Sequence, residues 1–234
     1  MPPDHAAHPD ADALDFDEAW YLRQYPGAAR AVEQGKVPSG FAHYLRRGRA
    51  DGKHPNARAA RAARLAGLAA QVGRLAGPGV AGFLQTNSEP DVIPLLRRVG
   101  LPFYLPTPAE DFTLDWVRAD PGSLEVVERG IPRPAGPVVG HGPSIEALVG
   151  AVLVPAVALD PGSGVRLGYG AGYYDRLLAG LAPTVHTIGV CREADLHEVP
   201  VEDHDRAVGW ILTEVGLRRP ACTATRKVES TDNT

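Results

Sequence analysis

The eleven residues from Arg166 to Arg176 combine two arginines, three glycines at alternate positions and one aspartate. Glycines let backbone N–H groups turn toward an anion, and a helix beginning at Tyr173 would add the positive end of its dipole. Guanidinium groups bind phosphate oxygens in a forked geometry, so Arg166 and Arg176 could assist the loop from either side. Asp175 supplies the type of ligand that Mg²⁺ takes beside phosphates. The stretch therefore predicts a phosphate site.

An apolar run, Val152–Leu159, precedes this stretch and predicts a buried strand that leads into a hairpin-like loop. The loop is not a Walker motif, because no Gly-Lys-Ser or Gly-Lys-Thr follows. It is not the dinucleotide-binding fingerprint either, since the third glycine comes one position early. The spacing alone leaves open a glycine-rich β–α turn that binds nothing.

The composition excludes several other classes of protein. The chain has 234 residues, 44% of them hydrophobic, which is enough for one α/β domain and a small appendage. Its net charge of −4 gives no electrostatic footprint for nucleic acid. The longest apolar stretch, 147–159, is too short to span a membrane, and the acidic N-terminus does not resemble a signal peptide. Two cysteines, Cys191 and Cys222, show neither metal-ligand nor disulfide spacing, which favours a reducing, cytoplasmic location.

Four segments are predicted along the chain: a disordered tail over 1–14, a small helical module over 15–55, an α/β domain over 57–219 and a second disordered tail over 220–234. The module should hold three helices with capping residues at Asp15 or Asp17 and at Ser39. Its pattern FDEAWYLRQYP…HYLRRG resembles a short accessory module of bacterial proteins, which favours a structural role or the binding of a protein partner.

The larger segment alternates helices with apolar strands, which predicts an α/β fold: a mainly parallel, Rossmann-like three-layer sheet with helices on both faces. A helix over 57–76 should begin it. The predicted strands are Val80–Leu84, Pro102–Leu105, Asp115–Val117, Ala151–Leu159, Thr184–Val190 and Gly209–Thr213. The other predicted helices are Val92–Val99, Ile145–Val149, Tyr173–Ala179 and Ala194–Leu196.

Several blocks, in order, resemble the 5-formyltetrahydrofolate cyclo-ligase (methenyltetrahydrofolate synthetase) family over about 57–219. The most specific are Leu153–Asp160 with Arg166–Arg176, Leu196–Asp205 and Ile211–Glu214. Val80–Phe83, Glu89–Asp91, Phe103–Pro106 and Gly130–Pro134 fit the family's earlier blocks. The resemblance implies a ligase of folate one-carbon metabolism that uses ATP and Mg²⁺. Its reaction converts 5-formyltetrahydrofolate to 5,10-methenyltetrahydrofolate through phosphorylation of the formyl oxygen, and the substrate can carry a polyglutamate tail.

The resemblance also assigns roles. Arg166 and Tyr173 are the implied catalytic residues, and Asp175 and Asp205 the implied magnesium ligands. Glu89, Tyr173 and Tyr174 are expected to contact the pterin. The implied ATP-binding residues are Arg166, Leu167, Gly168, Tyr169, Gly170, Ala171, Gly172, Tyr173 and Tyr174. From the residues alone, one of the two tyrosines could instead pack in the core, Glu89 could be a solvated loop carboxylate, and Trp116 is better explained by packing than by the pterin pocket.

The chain departs from the family at its first helix, where Arg58, Arg61 and Arg64 stand in place of a lysine-containing pattern. An alternative hypothesis is therefore a catalytically weakened protein that binds folate or nucleotide and is recruited to a partner by its N-terminal module. A third is an unrelated phosphate-binding α/β enzyme, such as a sugar-phosphate isomerase, which would need neither ATP nor Mg²⁺.

Overall fold

The computed structural model describes residues 15–85, 89–119, 124–126, 132–202 and 205–221. By its contacts the chain divides into two compact units, Met1–Arg64 and Leu65–Thr234. The predicted tail 1–14, nearly all of the predicted tail 220–234, and the start of the predicted turn Gly130–Pro134 lie outside the described residues.

The first unit contains short helices around an aromatic cluster. They are α1 (Glu18–Gln24), α2 (Pro26–Glu33), α3 (Gly40–His43) with a π-helical turn (Tyr44–Gly48), and the start of α4 (Ala57–Ala76). Asp17 caps α1 by accepting from the Trp20 N–H, and Ser39 caps α3 by accepting from the Ala42 N–H. Tyr21 and Tyr44 are buried among Phe16, Trp20 and Phe41. The predicted three helices and both cap positions are confirmed.

The second unit is built around a sheet of eight strands. In chain order its elements are β1 (Val80–Ala81), α5 (Ile93–Val99), β2 (Phe103–Pro108), β3 (Leu114–Ala119), β4 (Leu124–Val126), β5 (Pro132–Pro134), β6 (Val138–His141), a 3₁₀ helix (Gly142–Ala147), β7 (Ala151–Pro155), β8 (Ala158–Leu159), β9 (Arg166–Leu167), α6 (Tyr173–Gly180), β10 (His186–Val190), a 3₁₀ turn (Glu193–Asp195), β11 (Trp210–Leu212) and β12 (Leu217–Arg218).

The main sheet has the order β12-β11-β10-β7-β1-β2-β3-β6. Its central strands, from β11 to β2, pair in parallel, whereas β12, β3 and β6 pair antiparallel at the two sides. Two hairpins, β4–β5 and β8–β9, lie outside this sheet. The prediction of an α/β fold with a mainly parallel sheet is confirmed.

Both faces of this sheet are buried, because side chains that alternate along each strand pack on opposite sides. On one face Leu153 and Ile188 lie in a cluster with Val72 of α4 and Leu96 of α5. On the other face Val152 and Val154 belong to a second cluster with the 3₁₀ helix and α6, through Ile145 and Leu177. The predicted cover of helices on both faces is therefore confirmed.

Three predicted elements were wrong, and one of them, the expected helix Ala194–Leu196, is a 3₁₀ turn over Glu193–Asp195. The expected single strand Ala151–Leu159 is divided, because Pro155 has no N–H to continue the ladder; β7 ends there, and β8 pairs with β9 instead. The expected helix Ile145–Val149 is a 3₁₀ helix that begins earlier, at Gly142, with Pro143 in its first turn.

Gly150 is required by a close backbone contact at the start of β7. A Cβ added there would lie 2.7 Å from the Ala76 carbonyl oxygen and 2.9 Å from the Gly77 nitrogen, and both are main-chain atoms that cannot rotate away. We therefore expect Gly150→Ala to lower the free energy of unfolding by about 1–3 kcal/mol, measured by urea denaturation. Gly67→Ala is the matched control, since its Cβ would meet open space within α4 and should raise that free energy by about 0.5–1 kcal/mol. Equal effects of the two changes would contradict this explanation.

Candidate functional site

The glycine-rich loop joins the hairpin β8–β9 to α6, as the sequence predicts. β9 ends at Leu167, and α6 begins at Tyr173 with Gly172 at its N-cap position. Gly170 and Gly172 have φ values of 85° and 67°, a backbone conformation that glycine adopts without strain. Because Gly168, Tyr169, Gly170 and Ala171 are exposed, the loop lies at the surface beside a helix N-terminus.

Arg166 connects the start of this loop to the chain segment that follows Asp205. Its side chain is only 5% exposed, and its Nη2 donates to Asp175 Oδ1 at 2.9 Å. Its Nη1 donates to the carbonyl oxygen of Arg206 at 3.0 Å. Since Arg206 follows Asp205 directly, one buried guanidinium brings the chain segments of both predicted magnesium ligands together.

Asp175 and Asp205 are carboxylates, the type of oxygen donor that Mg²⁺ takes. Asp205 Oδ2 accepts from the Glu202 N–H at 2.8 Å, which restrains that carboxylate. Within the described residues, the contacts of Asp175 and Asp205 occupy one carboxylate oxygen of each. No group of three or more His, Cys, Asp or Glu that could hold a metal occurs among those residues. Two carboxylates are enough for Mg²⁺, which keeps several waters and takes phosphate oxygens.

Glu89 is buried, and Tyr174 is partly buried with its hydroxyl fully enclosed. Glu89 is 5% exposed, which excludes the alternative of a solvated loop carboxylate. The ring of Tyr174 packs against both hydrophobic clusters, and within the described residues its buried hydroxyl has no hydrogen-bond partner. Burial, together with the charge of Glu89, raises the pKa of Tyr174, so the phenol stays a neutral hydrogen-bond donor. Tyr174 is thus the tyrosine with a core position, whereas Tyr173 is in contact with Arg176 on the loop side.

Trp116 and Cys191 are buried and have structural roles. Trp116 is fully buried, and its Nε1 donates to the carbonyl oxygen of Gly142 at 2.9 Å, so the packing interpretation is confirmed. Cys191 is 1% exposed, and burial raises the pKa of its thiol to about 12. It is therefore a buried structural thiol and not a nucleophile.

A polar network joins the hairpin between β2 and β3 to His141, and it was not predicted. His141 Nδ1 lies 2.7 Å from Asp115 Oδ1, and its Nε2 lies 3.2 Å from Asp111 Oδ2. Thr113 donates to the second oxygen of Asp111 through both its N–H and its hydroxyl. The alternation of Asp111, Thr113 and Asp115 indicates one face of a strand, but His141 is too distant in sequence for spacing to reveal it.

The network predicts a pH dependence of stability. The hydrogen bond that His141 donates to Asp115, together with the charge of Asp111, raises the pKa of His141 above its usual value of 6.5. A raised folded-state pKa adds stability that is complete below the unfolded pKa and is lost as the pH rises through the folded value. We therefore expect the melting temperature to fall as the pH rises above about 6.5. In His141→Gln the melting temperature should depend less on pH over this range.

The control for the His141→Gln measurement is His197→Gln. Among the described residues, the hydrogen bond of the His197 ring is with the backbone carbonyl of Glu198 and not with a carboxylate. Melting curves of all three proteins from acidic to mildly alkaline pH would be compared. An unchanged slope in His141→Gln would show that the network does not contribute.

Known proteins resemble this chain over a range that includes the residues of this site. A sequence model of the 5-formyltetrahydrofolate cyclo-ligase family matches residues 50–214. A 5-formyltetrahydrofolate cyclo-ligase of Mycolicibacterium smegmatis is 38% identical over 149 residues, which are 60% of this chain and 75% of that protein. The NMR structure of Aquifex aeolicus 5,10-methenyltetrahydrofolate synthetase aligns with a TM-score of 0.52 and 27% identity, over 73% of this chain and 88% of that one.

No helix in the described part of the chain combines the length and apolar character needed to cross a membrane. The fold, the matched residues and the level of identity agree with the resemblance inferred from the glycine-rich loop and the later blocks. This chain belongs to the 5-formyltetrahydrofolate cyclo-ligase family.

Proposed function

We propose that this chain is a ligase that converts 5-formyltetrahydrofolate and ATP to 5,10-methenyltetrahydrofolate, ADP and phosphate. Family membership supports the reaction, as do the names of the two relatives above. The observation that carries the proposal is the buried Arg166 guanidinium, which donates both to Asp175 and to the backbone beside Asp205. Its fixed positive charge lies beside Asp175, a carboxylate suited to Mg²⁺, and Arg166 directly precedes the loop suited to phosphate.

The chemistry requires activation of a poor leaving group. We propose that the formyl oxygen takes the terminal phosphoryl group of ATP, that N10 then attacks the formyl carbon, and that phosphate leaves with the oxygen. Catalysis of such a transfer is mostly positioning and neutralisation of charge. Arg166 would stabilise charge on the transferred group, and the backbone N–H groups of the exposed loop residues 168–171 would bind the remaining phosphates.

Asp175 and Asp205 are the proposed magnesium ligands, and they would hold the ion through the carboxylate oxygens that face away from their protein contacts. Bound there, Mg²⁺ would neutralise phosphate charge. Glu89 would accept hydrogen bonds from the pterin ring, and the Tyr174 hydroxyl would donate one, since both groups are buried. Tyr173 would offer an aromatic face to a bound ring.

The test is to follow formation of the methenyl product by absorbance, using full-length protein, 5-formyltetrahydrofolate and Mg²⁺ with and without ATP. An increase that requires ATP would support the proposal. A folded protein that binds the folate without turnover would overturn it in favour of the catalytically weakened binding protein. Conversion of a sugar phosphate without ATP would favour the isomerase alternative.

We further propose that residues 15–55 are an accessory module, suited to a protein partner in the cytoplasm, and that they take no part in the folate chemistry. Support comes from the cluster around Tyr21, which closes on residues of the module itself. Tyr21→Ala removes the centre of that cluster, and large-to-small core changes are strongly destabilising. We expect kcat and KM to remain within about twofold of wild type while the module loses its helical signal. A large loss of kcat in this variant would refute the separation.

A further inference from the structure

The side chain of Arg176 attaches the glycine-rich loop to the β2–β3 hairpin, which is distant in sequence. Its Nη2 donates to the carbonyl oxygen of Ala171 at 2.7 Å, in the middle of the loop. Its Nε donates to the carbonyl oxygen of Phe112 at 2.8 Å, at the tip of the hairpin. The guanidinium therefore connects two segments that are distant in sequence.

Two aromatic rings enclose the same guanidinium. Its central carbon lies 5.8 Å from the centroid of the Phe112 ring and 5.7 Å from that of the Tyr173 ring. Both distances are within the range of cation–π attraction. Tyr173 is the first residue of α6, so the contact fixes the ring next to the loop as well as the loop backbone.

The hairpin tip is itself rigid enough to serve as an anchor. The Phe112 N–H donates to the Ala109 carbonyl, the Ala109 N–H donates to the Thr113 carbonyl, and Asp111 accepts twice from Thr113. Phe112 has a φ of 60°, and no other non-glycine residue among those described has a positive φ. Such strain in a bulky residue persists only where its surroundings determine the conformation, and the Phe112 ring is 63% exposed, so core packing is not the reason.

We propose that Arg176 is a positioning residue: it holds the glycine-rich loop and the Tyr173 ring against the hairpin tip in the geometry that binds the phosphates of ATP. The proposal rests on the function proposed above. Gly170 and Gly172 give a free loop many conformations, and ordering them on binding would weaken the affinity. Anchoring the carbonyl of Ala171 between them removes most of that freedom before ATP arrives.

Arg176→Ala is the informative variant, because the side chain lies at the surface and its loss should leave the fold intact. We expect KM for ATP to rise about tenfold, with a smaller change in kcat and in KM for 5-formyltetrahydrofolate. Arg176→Lys retains the charge but not the fork that reaches two carbonyls, so it should lie between alanine and wild type.

Arg219→Ala is the matched control. Arg219 also lies over an aromatic ring, that of Trp210 at 4.0 Å, and donates to a backbone carbonyl, that of Gly209 at 3.2 Å. It belongs to the segment after β12, far along the sheet order from β2 and β3. Its loss should leave KM for ATP unchanged.

Hydrogen exchange of the ligand-free proteins gives a readout that does not depend on turnover. Amides of residues 168–172 should exchange faster in Arg176→Ala than in wild type or Arg219→Ala, while the core strands exchange equally in all three. Equal loop exchange in the three proteins, or an unchanged KM for ATP in Arg176→Ala, would overturn the proposal. If wild-type protein formed no product, the proposed function would fail, and faster loop exchange in Arg176→Ala would still establish the anchor.

Discussion

Arg166→Ala is expected to lower kcat/KM for the ATP-dependent reaction by about 100-fold or more. Losses of that size follow removal of one preorganised group that stabilises charge in a transition state. Arg166 meets the conditions for such a group, because its guanidinium is 5% exposed and is fixed by two hydrogen bonds, to Asp175 and to the Arg206 carbonyl. Initial rates over a range of ATP and folate concentrations would measure the effect.

The same change should also destabilise the fold. Asp175 is 21% exposed, so without Arg166 its carboxylate would be left partly buried with its partner removed. Breaking a fully buried pair lowers the free energy of unfolding by several kcal/mol, and partial exposure reduces this to about 1–3 kcal/mol. Arg166→Lys should retain much of the stability and little of the activity, since an ammonium group cannot reproduce the two-armed contact.

Arg192→Ala is the control for these effects. Arg192 also pairs with an aspartate, Asp195, at 2.8 Å, but its side chain is 56% exposed. An exposed pair of this kind contributes about 0–1 kcal/mol, so both rate and stability should be close to wild type. If Arg166→Lys were as active as wild type, Arg166 would serve as a source of charge only, and the forked geometry would have no role in catalysis.

The parts of the site that could be predicted from sequence depend on local spacing. The hairpin, the glycine-rich loop and the start of α6 at Tyr173 are encoded within about twenty consecutive residues. Contacts that depend on the tertiary fold could not be predicted in this way. Arg166 bonds to a carbonyl 40 residues later, and Arg176 to one 64 residues earlier. The backbone carbonyl of any residue type can accept such bonds, so nothing in the sequence marks the partner.

The same limit explains the missed strands. β9 and β12 have two residues each, β4 and β5 have three, and β6 has four. A hydrophobic period cannot be read from so few positions, and the pairing of these strands is decided by their neighbours. The central strands were found because they are buried on both faces and therefore form continuous apolar runs. Even there, the single residue Pro155 divided one expected strand into two.

Asp175→Asn tests the proposed magnesium site separately from the contact with Arg166. The amide oxygen of asparagine can still accept from the guanidinium, so the change removes charge with little change of shape. If Asp175 binds Mg²⁺, kcat/KM should fall by about 100-fold, and the Mg²⁺ concentration that gives half-maximal rate at fixed ATP should rise. Asp205→Asn should shift that concentration in the same direction, because the two carboxylates would share one ion.

Asp195→Asn is closely matched as a control: its carboxylate is 26% exposed against 21% for Asp175, and it also pairs with an arginine. It should leave the dependence of the rate on Mg²⁺ unchanged. The prediction would be contradicted if Asp175→Asn were slower than wild type but its rate depended on Mg²⁺ concentration as that of wild type does. That result would make Asp175 a residue that orients Arg166, and it would place the magnesium ligands elsewhere, because a lost ligand must weaken the binding of the ion it holds.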